Sequence, residues 1–434
     1  MANSPESDGY PARGRARFAQ AVLVVIAIVT AMDVHVSKLL LEPMKAELGL
    51  SDAQAGFINV TASSLAYALC AIPAGLLADR LNRVRLLLFA MLLWAVGLGS
   101  VALSGGLAVL LLGKFILGAA LALTYTSAMS LFSDYFSPDR RATATASFPV
   151  GQTLGGAGAV LVGGLGLSAL TGMVVSEPVF LQPLTPWRGV TLVFGVCSLL
   201  LVPLLLTVRE PPRMERSAAK GAKKFRILWD RRAELLPLYG GMMFLSGLAS
   251  GVMVWSVPAL MRLYGQSPAD LATWLAPLSL VVGIAGMIVG GRLVQARVRT
   301  GDMRELLAPA ITAALVGSIG NFMAVMPNVI GFAFLLTLSN FTYAIAISVP
   351  VIAINYRIPN DLRGLAMAGY VVLFAIVGGI AAPMVGAATS AFGGDHMLGA
   401  GILSVGLTCS FGAYICFRMA ARVNSPSTPD KVAS

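Results

Sequence analysis

The stretch GLLADRLNRVR, Gly75 to Arg85, decides how this chain is read. An apolar run that begins near Phe57 stops there against Asp79, Arg80, Arg83 and Arg85. A long apolar run, a small residue, an acid and a basic turn describe a membrane-spanning helix leaving lipid, because Lys and Arg concentrate on the cytoplasmic side. Asp79 can accept hydrogen bonds from a neighbouring helix end, whose N–H groups carry partial positive charge. A fainter echo, GMIVGGRLVQARVR from Gly286 to Arg299, follows a little over two hundred residues later. The pair points to a duplicated membrane protein.

Composition agrees. Of 434 residues, 57% are hydrophobic and 12% charged, with a mean hydropathy of +0.81. A soluble domain carries about 25% charged residues, so most of this chain is not built for water. The net charge of +11 comes from basic residues that sit between the apolar runs. It therefore suits a membrane surface, and no nucleic-acid partner is expected. Cys70, Cys197, Cys409 and Cys416 all lie inside apolar runs without disulfide or metal spacing, and read as small buried residues. The first apolar run follows Arg13, Arg15 and Arg17, lacks a cleavage site and leads into further helices. It is expected to be an uncleaved span.

A helix needs about 20 apolar residues to cross a hydrocarbon core of about 30 Å. The sequence predicts twelve such spans, at 18–41, 54–79, 84–104, 107–133, 142–170, 188–208, 235–262, 269–292, 303–325, 328–355, 364–391 and 396–420. All but five of the 31 lysines and arginines then fall at one membrane face, the exceptions being Lys38, Lys45, Lys114, Arg188 and Arg262. Both termini are accordingly expected in the cytoplasm of a bacterial inner (plasma) membrane. The expected organisation is a cytoplasmic tail 1–17, a six-helix half 18–208, a cytoplasmic linker 209–233, a second half 234–420 and a tail 421–434. The basic linker reads as a solvated tether near anionic headgroups.

The halves repeat in parallel: YFSPDRRATA from Tyr135 and YRIPNDLRGLA from Tyr356 each follow a long apolar helix and open the next. Their offset is close to that between the Gly75 and Gly290 segments. Two parallel six-helix halves, with a site between them near the midplane, are the architecture of the major facilitator superfamily. GLLADRLNRVR resembles the loop signature between that family's second and third helices. LLLEPMKAELGLSDAQAGFI (39–58), FSDYFSPDRRATATASFPVGQTLG (132–155), VWSVPALMRLYGQS (254–267) and IPNDLRGLAMA (358–368) are similar to its spinster-type branch. The resemblance implies an all-α, twelve-helix secondary transporter working by alternating access. Eukaryotic relatives of that branch are associated with sphingoid or lysolipid cargo. Two departures concern coupling. The usual Asp-Arg of the first helix is Asp33-Val34, and the usual arginine and glutamate of the fourth are Lys114 and Leu121.

A charged side chain in a bilayer costs about 2.5–3.5 kcal/mol by insertion scales, so each one present calls for a reason. Asp33, at ~1.5 Å per residue, lies ~22 Å in from Phe18 along the first helix. Lys114 lies ~10 Å in from the opposite face along the fourth, at similar depth. The two are expected to approach, directly or through water, either as a structural ion pair or as a proton-coupling and substrate site. His35 stands on another face of the first helix and reads as a structural histidine or a proton relay. Lys38 is expected to snorkel to the outer surface.

Asn59, Ser63, Tyr67, Tyr125, Trp255, Asn340, Tyr343 and Tyr370 are candidate cavity-lining residues, with helix-to-helix bonding as the alternative. Gly75, Asp79, Arg80, Arg83, Arg140, Arg141 and Arg363 form the candidate cytoplasmic gate, a latch that holds one face closed. The glycines from Gly155 to Gly164 serve close packing or resemble an antiporter signature. No nucleotide loop, nucleophile elbow or metal cluster is evident, so no enzyme, metal or cofactor is expected. The reading is a monomeric, proton-linked transporter of a small organic anion or an amphipathic, lysolipid-like molecule. A multidrug/proton antiporter and a transporter-like sensor without flux are the alternatives.

Overall fold

The computed structural model describes residues 10–176, 185–213, 221–298, 302–358 and 360–423. Among them twelve helices are long and apolar enough to cross a bilayer. They are α1 (Arg13–Leu39), α2 (Asp52–Arg80), α3 (Arg83–Ala102), α4 (Leu107–Tyr135), α5 (Thr143–Gly172) and α6 (Pro186–Leu206), followed by α7 (Arg232–Tyr264), α8 (Pro268–Arg297), α9 (Met303–Val325), α10 (Val329–Ile354), α11 (Leu365–Ala391) and α12 (Asp395–Arg422). Each expected span is present. α1 begins at Arg13 rather than Phe18 because its arginine-rich first turns continue the helix beyond the apolar run.

Packing reproduces the repeat. α1 packs on α5, α2 on α4, and α3 on both α4 and α6; α7 packs on α11, α8 on α10, and α9 on both α10 and α12. The same pattern recurs six helices later, which is a parallel duplication. Two dense seams join the halves, α2 against α11 and α5 against α8.

Both seams depend on small residues. A Cβ on Gly164 would fall 2.4 Å from the Pro268 carbonyl oxygen, and one on Gly386 2.4 Å from the Asp52 backbone. Gly56 meets Ala382 in the same way, at 2.6 Å. The Gly155–Gly164 stretch therefore does packing work, since Gly155 also lies against the Ile28 carbonyl oxygen at 2.3 Å. In α11, Pro383 has no N–H to give, which frees the carbonyl of Gly379 one turn earlier. The Thr61 hydroxyl, from the other half, donates to that carbonyl. Around Thr61 the α2 helix widens into a π-turn over Phe57–Thr61, and α7 does the same over Leu248–Val252. Both π-turns lie against α11.

A short helix, Leu41–Leu48, precedes α2 and ends at Gly49, whose φ of +62° puts it in the left-handed region. Ser51 and Gln54 then form a reciprocal cap, Gln54 N–H to Ser51 Oγ at 3.2 Å and Ser51 N–H to Gln54 Oε1 at 2.9 Å. This cap sets Asp52 on the first turn of α2, against α11.

Gly386→Val should overpack the α2–α11 seam by about 1–3 kcal/mol and drive that end of the molecule open. Spin-label distances across the Asp52 end should lengthen while helicity is kept; unchanged distances would contradict the role given to the seam.

Candidate functional site

Asp33, Lys114 and Asn59 occupy one level. Each lies six or seven residues, or ~10 Å, from the same end of its helix. Asp33 is 7% exposed and accepts the indole N–H of Trp94 at 3.0 Å. Lys114, also 7% exposed, donates to Asn59 Oδ1 at 3.4 Å. The two charges do not form a direct ion pair among the described residues, as the direct alternative required. They line a single small cavity with Ser37, Trp187 and Thr191, wide enough for water but not for organic cargo. Its lining comes wholly from the first half. Trp94, the carboxylate's own partner, was not legible in the sequence, since a tryptophan in an apolar run reads as core.

His35 faces α5 at Gly156 and its Nδ1 lies 3.2 Å from Lys38 Nζ. Lys38 is half-buried against that ring rather than extended to the surface as expected. Neither side chain hydrogen-bonds or ion-pairs with Asp33 among the described residues.

Four tyrosines converge from both halves. Tyr370 on α11 stands within electrostatic range of Tyr343 on α10, Tyr125 on α4 and Tyr67 on α2. All four are half-buried, and no protein hydrogen bond holds any of their hydroxyls among the described residues. Tyr125 is braced edge-on by Phe148 at 5.9 Å, and Tyr370 by Phe374 at 5.4 Å. Aromatic faces and free hydroxyls here offer apolar area and polar ends together. Along α4, Tyr125 is ~16 Å from Lys114. Asn340 is half-buried on α10, and Ser63 is half-buried where α2 meets Gly118 of α4. Asn59 lies within the π-turn of α2 and Tyr67 beyond it. Trp255 is a correction: it is fully buried, donating to the Ala382 carbonyl at 2.9 Å, and lies in the packed seam rather than on a cavity wall.

The two ends of the molecule differ. At the Asp52 end an ion cluster crosses between the halves. Arg262 on α7 grips Asp52 with both guanidinium nitrogens, at 2.8 and 2.9 Å, and donates to Glu42 at 2.6 Å. Lys45 bonds Asp52 at 2.7 Å and Asp395, from the second half, at 2.8 Å. The Asp52 side chain is only 1% exposed. Burial works against the charge on Lys45, but its bonds to Asp395 and Asp52 outweigh that and raise its pKa. A raised lysine pKa adds stability that is complete below the ordinary value and is lost only as pH rises through the raised one. Lys45 therefore stays charged through the neutral range. Beside this cluster, burial would raise the Glu47 carboxyl, yet Thr185, Trp187 and Arg188 hold it below its usual range.

At the other end no such ion cluster engages the Gly75 segment among the described residues. Asp79 and Arg80 are exposed, and a Cβ on Gly75 would meet nothing within 4 Å. The Asp79 carboxylate has no ion pair among the described residues; its backbone carbonyl and those of Ala78 and Leu81 accept from Arg213, which caps the end of α2. Arg83 departs from the gate reading. It is 1% exposed and bonds Asp134 and Glu210, tying α3 to α4 and to the start of the linker within one half. Arg140 is exposed and Arg141 half-buried at the start of the helix that becomes α5. The side chain of Arg363 lies outside the described residues.

Sequence and structure comparisons place this arrangement. A curated relative from Mycolicibacterium smegmatis, described as an MFS-type efflux pump, is 26% identical over 312 residues, covering 70% of this chain and 67% of its own length. Two crystal structures of a bacterial homologue of the human lysosomal transporter Spinster, both inward-facing, superpose closely. The unoccupied form gives a TM-score of 0.81 at 20% identity, covering 95% of this chain and 98% of its own. The occupied form gives 0.77 at 21%, covering 95% and 96%. Residues 23–383 match the sequence profile of the Major Facilitator Superfamily, and with twelve helices in two parallel halves this chain belongs to that family of transporters.

Proposed function

We propose that the chain is a proton-coupled secondary transporter in which residues 18–208 and 234–420 rock about a cargo site framed by Tyr67, Tyr125, Tyr343 and Tyr370. One observation carries this reading. A two-half repeat is locked at one end by ions that cross between the halves, while at the other end Gly75 and the Asp79 carboxylate meet no such partner among the described residues. Such asymmetry in a duplicated fold is what one state of an alternating-access cycle requires. The excess of Lys and Arg puts the Asp79 end in the cytoplasm, so this is the inward-open state of a plasma-membrane protein with both termini inside. Gly75 and Asp79 then become the contact surface when the cytoplasmic side closes.

Cargo reaches the tyrosines from the open side. Their aromatic faces and unbonded hydroxyls suit a small amphipathic or lysolipid-like molecule, or an organic anion whose acceptor oxygens the hydroxyls can bond. Asp33 is the coupling group. It sits beside a water-sized cavity, held by Trp94 and biased by the Lys114 charge nearby. Proton and cargo thus act at two sites ~16 Å apart on α4, linked by the rocking of that helix. One chain contains the whole path, so a monomer suffices. The efflux-pump relative favours export by proton antiport as the second reading.

Asp33→Asn keeps an acceptor for Trp94 but cannot titrate. In proteoliposomes it should abolish proton-gradient-driven flux while leaving gradient-free exchange of cargo; gradient-driven flux at the unmutated rate would remove Asp33 from coupling, and binding without any flux in the unmutated protein would make the chain a sensor. Arg262→Gln leaves Asp52 buried with one fewer partner. It should favour outward opening by about 2–4 kcal/mol, the scale of a broken partly buried pair. In a cysteine-free background, Ala272→Cys should then label with an impermeant maleimide far faster; equal labelling with and without Arg262 would refute the outer latch.

A further inference from the structure

In the second half, α8 and α9 both seat on α10 through glycines. A Cβ on Gly286 or Gly290 would fall 2.6 Å from Ala344 Cβ or 2.5 Å from Ser348 Oγ. One on Gly317 or Gly320 would fall 2.7 Å from Thr342 Oγ1 or Ser339 Cβ. Each helix is drawn down onto α10, and the two touch each other little. A groove of about 270 Å³ is left between them, with Thr342 and Ile345 of α10 as its floor. The Thr342 hydroxyl already donates to the Leu338 carbonyl at 2.8 Å, so the floor presents little free polarity.

The groove runs from Leu293 and Arg297 on α8 to Val316 on α9. Val316 is ~20 Å along α9 from Met303, somewhat deeper than the ~15 Å half-thickness of a hydrocarbon core. Beside it, Leu315, Ile319 and Phe322 are exposed on the same helix, the pattern of a lipid-facing surface. The polar end is basic. Arg297 is half-buried at the mouth, with one guanidinium nitrogen on the Leu293 carbonyl at 3.2 Å, and Arg292 and Arg304 are exposed at the same end. Of the nearby acids Asp302 and Glu305, Asp302 is engaged capping the Arg304 N–H at 2.8 Å.

We propose that this groove is a binding site for one anionic phospholipid, its acyl chain between α8 and α9 over Thr342 and its phosphate at Arg297. An apolar slot of leaflet depth that ends in arginines matches a lipid with a negative headgroup. A zwitterionic headgroup meets the same slot with less electrostatic gain. The site lies outside the tyrosine cluster and does not depend on the direction or coupling of transport.

The test uses the purified full-length protein in detergent, titrated with phosphatidylglycerol or phosphatidylethanolamine of identical chains and read by native mass spectrometry and thermal unfolding. Phosphatidylglycerol should bind as a single retained lipid and raise the Tm, with about fivefold preference over phosphatidylethanolamine. Arg297→Gln should erase the preference while keeping chain binding. Thr312→Trp, at an exposed groove position, should lose both lipids, and Val316→Trp serves the same end if the first variant unfolds. Glycerol phosphate alone should leave the Tm unmoved. Equal retention of the two lipids, a preference that survives Arg297→Gln and the groove-filling variants, or an equal shift with glycerol phosphate would overturn the proposal.

Discussion

The bidentate grip of Arg262 on Asp52 is the interaction on which the rest of the arrangement depends. Asp52 is nearly inaccessible, so its charge must be met by protein groups, and Arg262 and Lys45 meet it from one side and the other. Glu42 and Asp395 balance the two cations and bring both halves into one cluster. Because the groups come from different halves, the network exists only while that end is shut. An ion cluster of this kind adds little raw stability, but it defines a state. The halves can separate there only by leaving a buried carboxylate short of partners.

Beneath the cluster, packing makes the closed end a tight fit. Gly56, Gly164 and Gly386 let backbones meet where any side chain would intrude, and the carbonyl freed by Pro383 gives Thr61 a partner across the seam. Tyr67, Tyr125, Tyr343 and Tyr370 converge from both halves. The charged level of Asp33 and Lys114 is offset from them, inside the first half, with Trp94 and Asn59 as intermediaries. On the proposed reading, a change in protonation there acts first on α1 and α4.

Much of the fold was legible because a bilayer imposes simple rules. Hydropathy gave twelve spans, and the two matched loops at Tyr135 and Tyr356 gave the parallel repeat. Asp33 and Lys114 stood out for their cost in lipid, and their common depth followed from helix rise alone. What escaped was whatever depends on rotation and partner choice. The π-turn at Phe57–Thr61, which holds Asn59, is announced by no period in the sequence. Trp255 looked like a cavity residue and is core. Arg83 read as part of a gate because it adjoins Asp79, yet it faces Asp134 and Glu210, which are remote in sequence. The outer cluster was missed for a related reason: Glu42, Lys45, Asp52, Arg262 and Asp395 each sit at a helix end, where a lone charge is ordinary. Only their assembly across the halves gives them meaning.

The central claim, that the halves must separate at the Asp52 end for work to be done, can be tested with a single covalent bond. A Cβ on Gly379 would stand 3.4 Å from Ser64 Cβ across the seam, close to disulfide geometry. With the native cysteines removed, Ser64→Cys combined with Gly379→Cys should oxidise readily. Cargo flux in proteoliposomes should stop when the bond forms and return on reduction. Undiminished flux through the cross-linked protein would contradict it.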